Sequence, residues 1–256
     1  MRRLEIALAA MILVGCASTG GTEQRSAQPA QATAPYQLSE TGKQSLNLAQ
    51  GYLGLGQLDK ASEWANKALA SDPKSADAHA LVGMIAARNG DVKKAGAEFD
   101  RALKLAPNNG AILNAHASWI CERGQTAQAD QEFALALQDP TYTRPVQALS
   151  NAGKCALGSD QLVKAEGYFR RALVIAPEDR SLLYLMAETE LRLGKIMEAQ
   201  AFIQRRDDME SNAETLALAA RIEDAAGNSL AAARYRKRLQ IEFPNYVPTG
   251  EGAKQP

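Results

Sequence analysis

Aromatic residues are scarce in this chain: five Phe, seven Tyr and two Trp make up 5% of its 256 residues. That shortage, beside an abundance of Ala, Leu and Gln, favours helices over sheets. An excess charge of one sign is also missing, since 29 basic residues balance 29 acidic ones and the formal net charge is +0. No basic run stands out in the body of the chain, so nucleic acid is not an expected partner. There are only two histidines, His79 and His116, and no HExxH, GxSxG or Walker-type run. Without a nucleophile–base set, catalysis is not expected, and a periplasmic hydrolase is the least supported class. His79 near a helix start and His116 in a packing column both read as structural. The carboxylates Asp207 and Asp208 lie at a helix end and read as a solvated face. The surroundings of the cysteines lack the further ligands that zinc needs. No metal, cofactor or small-molecule substrate is expected. No apolar run is long enough to span a bilayer.

What the chain does have is a repeat. In residues 76–109, Leu81, Val82 and Ile85 form an apolar stripe at helical spacing. Val92, Ala95, Phe99 and Leu103 form a second stripe after Asn89-Gly90, and Gly90 suits the left-handed turn that ends the first helix. Carried outward, this period gives six units. One column holds Ala61, Ala95, Ala129, Ala165, Ala199 and Ala232, spaced by 34, 34, 36, 34 and 33 residues. Unrelated helices would not keep that spacing. The turn column holds Gly56, Gly90, Gly124, Asp160, Gly194 and Gly227. A closing proline recurs as Pro73, Pro107, Pro177 and Pro244; it sits one place early in the third unit, as Pro140, and the fifth unit lacks it.

This pattern resembles the tetratricopeptide repeat (TPR): two antiparallel helices with a tight turn between them, and a proline before the next repeat. The expected fold is an all-α TPR superhelical solenoid of about six helix-turn-helix repeats, at 42–75, 76–109, 110–145, 146–179, 180–212 and 213–246. Residues 247–256 read as a polar tail. Phe99, Phe133 and Phe169 share one column and read as core wedges, with Trp64 packing close to that column. Arg206 and Arg236 stand where neighbouring units carry small or apolar residues, a departure that suits the capped end of an array. Trp119 is large for its place, and the sequence offers no account of it.

The N-terminus reads as a targeting segment outside the fold. Arg2 and Arg3 precede the short apolar run of residues 4–14, and Leu13-Val14-Gly15-Cys16 resembles a lipobox. On this reading residues 1–15 are a lipoprotein signal peptide and the thiol of Cys16 is acylated. Several acyl chains on one residue anchor stably, at about 0.8 kcal/mol per buried CH₂. Ala17 and Ser18 follow, with no Asp to favour inner-membrane retention. The expected location is therefore the periplasmic face of the outer membrane. Residues 16–41 form the lipidated Cys and a flexible tether rich in Ala, Gln, Thr, Ser and Gly; such a segment reaches roughly 25–30 Å.

By resemblance to other TPR proteins, the first helix of each unit lines a concave groove. The lining columns in the near half are Leu46, Gln50 and Leu53, then Ala80, Met84 and Ala87, then Asn114 and Ser118, then Ser150, Lys154 and Leu157. These side chains are mainly small or apolar and suit an amphipathic or an extended peptide. The Lys/Asn arrangement that clamps a C-terminal carboxylate in some chaperone-cofactor TPRs is absent, because Leu46, Gln50 and Met84 occupy those places. Cys121 and Cys155 lie on the first helices of adjacent units. In an oxidising compartment they can form a disulfide or remain two buried thiols.

The join ALALQDPTYTRP at 134–145 carries the two extra residues of the third unit. It leads into ALSNAGKCAL at 148–157 and KAEGYFRRAL at 164–173, and the array ends in LQIEFP at 239–244. With the lipobox and six units, these stretches resemble the type IV pilus biogenesis/stability lipoproteins, the PilF/PilW family. The resemblance implies a pilotin, a non-enzymatic adaptor that binds the pilus secretin and helps it reach and assemble in the outer membrane. The alternative is a TPR lipoprotein of another envelope machine, either a tight-adherence pilus or a cell-wall synthase regulator.

Overall fold

The computed structural model describes residues 36–207 and 211–247. The signal segment, Cys16, most of the tether, Asp208 and residues 248–256 of the tail lie outside the described residues. Within them the chain forms twelve α-helices and no strand. In order they are α1 (Glu40–Gly54), α2 (Leu58–Ser71), α3 (Ala76–Arg88), α4 (Val92–Leu105), α5 (Gly110–Glu122) and α6 (Thr126–Ala136). The second half comprises α7 (Pro145–Gly158), α8 (Leu162–Ile175), α9 (Arg180–Arg192), α10 (Ile196–Asp207), α11 (Ala213–Ala225) and α12 (Ser229–Glu242). The helices pack in consecutive pairs, and each pair touches only the pairs beside it in sequence. This is an all-α TPR solenoid, held together one neighbour at a time. No described helix is long and apolar enough to cross a membrane.

Each helix has 11–15 residues, short enough to be marginal alone, so local stops and stacking decide where it forms. Side chains set many of the starts. Ser75 accepts from the Ala78 N–H, Asn109 from Ala111 and Ile112, and Asp179 from Leu182, satisfying donors that the first turn leaves unpaired. Two repeats also close on themselves through a carboxylate just before a proline. Asp72 accepts from the Ser39 hydroxyl and N–H at the head of α1, and Asp139 accepts from the Gly110 N–H at the head of α5. The Ser39 hydroxyl holds the Asp72 carboxyl below its usual range, and the Gly110 N–H does the same for Asp139.

The six alanines of the packing column are all 0% exposed, which lets the two helices of each repeat come close. Phe99, Phe133 and Phe169 are sealed at 0%, 1% and 0%. Trp64 is half-buried against the first repeat's core, with the Lys67 ammonium 4.0 Å above its ring.

All six turn residues have positive φ, including Asp160 at 60°. Asp tolerates this left-handed conformation because its short polar side chain bonds locally; here the carboxylate meets Arg192 at 2.7 Å. The fourth turn thus keeps the geometry of the others. That ion pair is largely exposed and contributes little, whereas a Cβ in this conformation costs about 1–2 kcal/mol. Asp160→Gly is therefore expected to stabilise the array by roughly 0.5–1 kcal/mol. An unchanged or lower denaturant midpoint would show that the Arg192 bridge outweighs the strain.

A fully buried carboxylate lies where the fourth and fifth units meet. Glu190 on α9 is fully buried and bonds Arg170 at 2.9 Å. Burial raises its carboxyl above the usual range. Desolvation pushes neighbouring Glu166 the same way, but hydrogen bonds from Lys195 and Arg170 outweigh it and leave Glu166 lowered. Two expectations change here. Arg206 is 7% exposed and belongs to the interior, whereas Arg236 is exposed and pairs with Asp224. Asp207 accepts from Arg238 at 2.8 Å with its side chain 14% exposed, so it ties α10 to α12 instead of facing solvent.

Candidate functional site

The first helices of units one to four enclose a groove of about 570 Å³. From α1 it takes Gln50, Leu53 and Gly54, all in the C-terminal half of that helix. Helix α3 lends its whole length, from Asp77 through Ala80, Leu81, Met84 and Ala87 to Arg88, and α5 does the same from Ala111 to Glu122. From the start of α7 come Gln147 and Asn151, preceded by Arg144 at the end of the join. The lining thus moves from the C-terminal half of α1 to the N-terminal half of α7.

That drift sorts the residues expected from sequence. Gln50, Leu53, Ala80, Met84, Ala87, Asn114 and Ser118 line the groove. Leu46 does not; it is 5% exposed and packs into the core of the first repeat and α3. Ser150, Lys154 and Leu157 are not in the lining either. Leu157 is buried at 7% in the next core cluster, Ser150 is half-buried and Lys154 is exposed. Gln147 and Asn151 of the fourth unit, with Arg144 at the end of the join, stand in their place. Each repeat is rotated slightly on the one before, so a column fixed by sequence leaves the groove within a few repeats.

Trp119 finds its explanation here. It lines the groove, half-buried, with its ring centroid 5.5 Å from Phe99 and 5.6 Å from His116. The Arg123 guanidinium lies 5.3 Å from its ring centre. A Cβ on Gly96 would stand 3.3 Å from the edge of that ring, so the glycine of the preceding repeat makes room for the indole. His116, 6% exposed, is held by Glu132 at 2.6 Å. His79 is held by Glu98 at 2.6 Å, with its other ring nitrogen 3.2 Å from the Pro73 carbonyl. Both histidines therefore tie the first helix of a repeat to the second.

The floor is apolar, built by Leu53, Ala80, Met84, Ile112 and Trp119. Polar groups are set among it, including Asn114, Ser118 and Asn151. Acidic Asp77 and Glu122 balance basic Arg88 and Arg144. Desolvation by the surrounding walls raises the Asp77 carboxyl above its usual range. Such a surface can hold a peptide by apolar contact and a few directed hydrogen bonds. Beside the groove, Cys121 of α5 and Cys155 of α7 are joined in a disulfide, with Cα atoms 5.9 Å apart, tying the third unit to the fourth. Among the described residues no group of three or more His, Cys, Asp or Glu could hold a metal ion.

A tetratricopeptide repeat family model matches residues 46–110. The type IV pilus assembly protein PilF of Pseudomonas aeruginosa is 26% identical over 200 residues, 78% of this chain and 79% of that protein. The crystal structure of PilW, a widely conserved type IV pilus biogenesis factor, superposes with a TM-score of 0.75 at 28% identity, covering 81% of this chain and 96% of that one. The structure of Pseudomonas aeruginosa pilF gives a TM-score of 0.71 at 26% identity, covering 81% and 94%. In sequence and in three dimensions alike, this chain is a tetratricopeptide-repeat protein similar to the type IV pilus biogenesis proteins PilF and PilW across its repeat array.

Proposed function

We propose that this chain serves type IV pilus biogenesis as a pilotin. It is an outer-membrane lipoprotein that binds the pilus secretin and promotes its arrival and assembly in that membrane. Pilus formation and twitching motility follow from that assembly. The observation that carries the reading is the match of the array to PilF and PilW over four fifths of the chain. The repeat fold suits a non-catalytic scaffold that works by protein–protein contact. On this reading, acylated Cys16 holds the protein on the periplasmic face. The tether gives the array a reach of roughly 25–30 Å, and the groove of the first four units receives a segment of the secretin subunit.

A photoreactive amino acid at Met84, in the groove, tests this in living cells. Light-dependent adducts identified by mass spectrometry are expected to contain the secretin. Adducts dominated by a cell-wall synthase or by tight-adherence pilus components would replace the secretin with another envelope machine and leave the fold untouched.

A further inference from the structure

The last helix leaves one face of the array without a neighbour. Each earlier pair packs against the pair that follows it, but among the described residues no helix follows α12. Its inner side is marked by Ala232, sealed at 0%. Opposite lie Leu230, Arg234, Lys237 and Ile241, which at a helical turn of about 100° per residue span only about 60°. All four are exposed, Leu230 at 65% and Ile241 at 69%. Residues 234–238 hold three arginines and a lysine. Acids elsewhere in the chain balance them in number, and only their placement singles two of them out. Arg236 pairs with Asp224, and Arg238 pairs with Asp207 and Glu242. Among the described residues Arg234 and Lys237 have no ion-pair partner.

The apolar surface continues onto the second helices of the two units before it. Leu230 stands two residues ahead of the packing alanine of its unit, and the same place holds Met197 in the fifth unit and Val163 in the fourth. These are 81% and 75% exposed. The first three units carry Asp59, Lys93 and Ala127 there. Three large apolar side chains in one column of successive repeats form a ridge, which isolated surface residues do not. Lys164 and Glu198 beside the ridge offset each other in charge, so the positive field of this face comes from α12.

We propose that the outer face of α12, together with this ridge, docks on an anionic phospholipid surface. Unpaired cations set among exposed aliphatic side chains fit the boundary between headgroups and acyl chains. Arg234 and Lys237 reach the phosphates, while Leu230, Ile241 and Met197 enter the edge of the apolar layer. A second copy of this chain is the poorer occupant, because a two-fold contact through this stripe brings the cations of one copy against those of the other. A single signal of this kind binds weakly and reversibly. The face therefore orients an array already held by its lipid and does not retain a released one. Anchored before α1 and seated at α12, the array is held at both ends. That the surface is the outer membrane rests on the reading of acylated Cys16 above.

The test uses the full mature chain carrying Cys16→Ser, so that no acyl chain contributes, and co-sedimentation with vesicles at millimolar lipid. The chain is expected to partition about tenfold or more in favour of vesicles of equal parts phosphatidylcholine and phosphatidylglycerol over phosphatidylcholine alone, and to be released by added salt. Arg234→Glu with Lys237→Glu is expected to lower that partition by about tenfold or more. Leu230→Ser with Ile241→Ser is expected to lower it as well. All four positions are exposed, so helicity should be unchanged in both variants. Binding to neither vesicle, equal binding to both, or full binding by the charge-reversed chain overturns the inference. A dimer seen by analytical ultracentrifugation that the two serines dissociate also overturns it, assigning the face to a second copy. Membrane fractionation of Cys16→Ala reads the lipid anchor separately, so the failure of one reading is distinguishable from the failure of the other.

Discussion

Phe169→Ala is expected to destabilise the array by about 3–5 kcal/mol, read as the shift of a denaturant midpoint followed by circular dichroism. Phe169 is 0% exposed at the centre of the fourth repeat. Its ring sits against Gly153 so closely that a Cβ there would lie 2.4 Å from the nearest ring carbon. Losing the ring removes its burial and opens a hole that rigid helices collapse into only partly. The same contact makes Gly153→Ala costly from the other side, by about 1–3 kcal/mol of overpacking. The two changes share one contact, so a smaller ring-position residue should relieve the alanine: Gly153→Ala with Phe169→Leu should cost less than the sum of the single changes. In a solenoid, damage at one repeat also weakens coupling between the repeats on either side. Phe169→Ala is therefore expected to broaden the transition or split it. A sharp single transition shifted by less than about 1.5 kcal/mol would mean that the fourth repeat is not sealed around this ring.

Cys16→Ala is expected to abolish membrane attachment, strongly reduce secretin multimers in the outer membrane and eliminate surface pili. Only a thiol at this position can take the lipid. On the proposed lipoprotein reading, each buried CH₂ contributes about 0.8 kcal/mol, so loss of the acyl chains on Cys16 would remove essentially all of the anchoring energy. The folded array lies beyond the tether and should be unaffected, with unchanged helicity in the released protein. Membrane fractionation, the amount of secretin multimer and a twitching assay read the three consequences separately. Normal multimers and normal twitching in this variant would remove the pilotin role even if the protein proved to be detached.

The register of the repeats was legible because it is written in small residues. The column of alanines from Ala61 to Ala232 and the turn residues from Gly56 to Gly227 set where the helices approach and where the chain reverses. Both are properties of neighbours in sequence. Asp160 fits that column because its left-handed conformation is a local matter that Asp can accept. Trp119 was opaque for the opposite reason. Its place depends on Gly96, a residue of the previous repeat whose smallness means nothing until the helices are stacked. A large aromatic on the first helix of a repeat, on the side that turns toward the groove, is the one signal that could have marked it.

The sequence by itself determined that this protein is a stack of helix pairs, where each pair turns back, and which Ala and Phe residues are sealed inside. Those features follow from spacing along single helices and from backbone conformations that particular residues favour. Tertiary structure alone decided that the groove runs from the end of α1 to the beginning of α7, taking Asn151 and Arg144 and leaving Leu46, Lys154 and Leu157 outside. It also decided that Cys121 meets Cys155 and that Asn114 meets Asn151. The rotation of one repeat on the next is a small angle set by packing between helices and accumulates along the array. No period in the sequence records it.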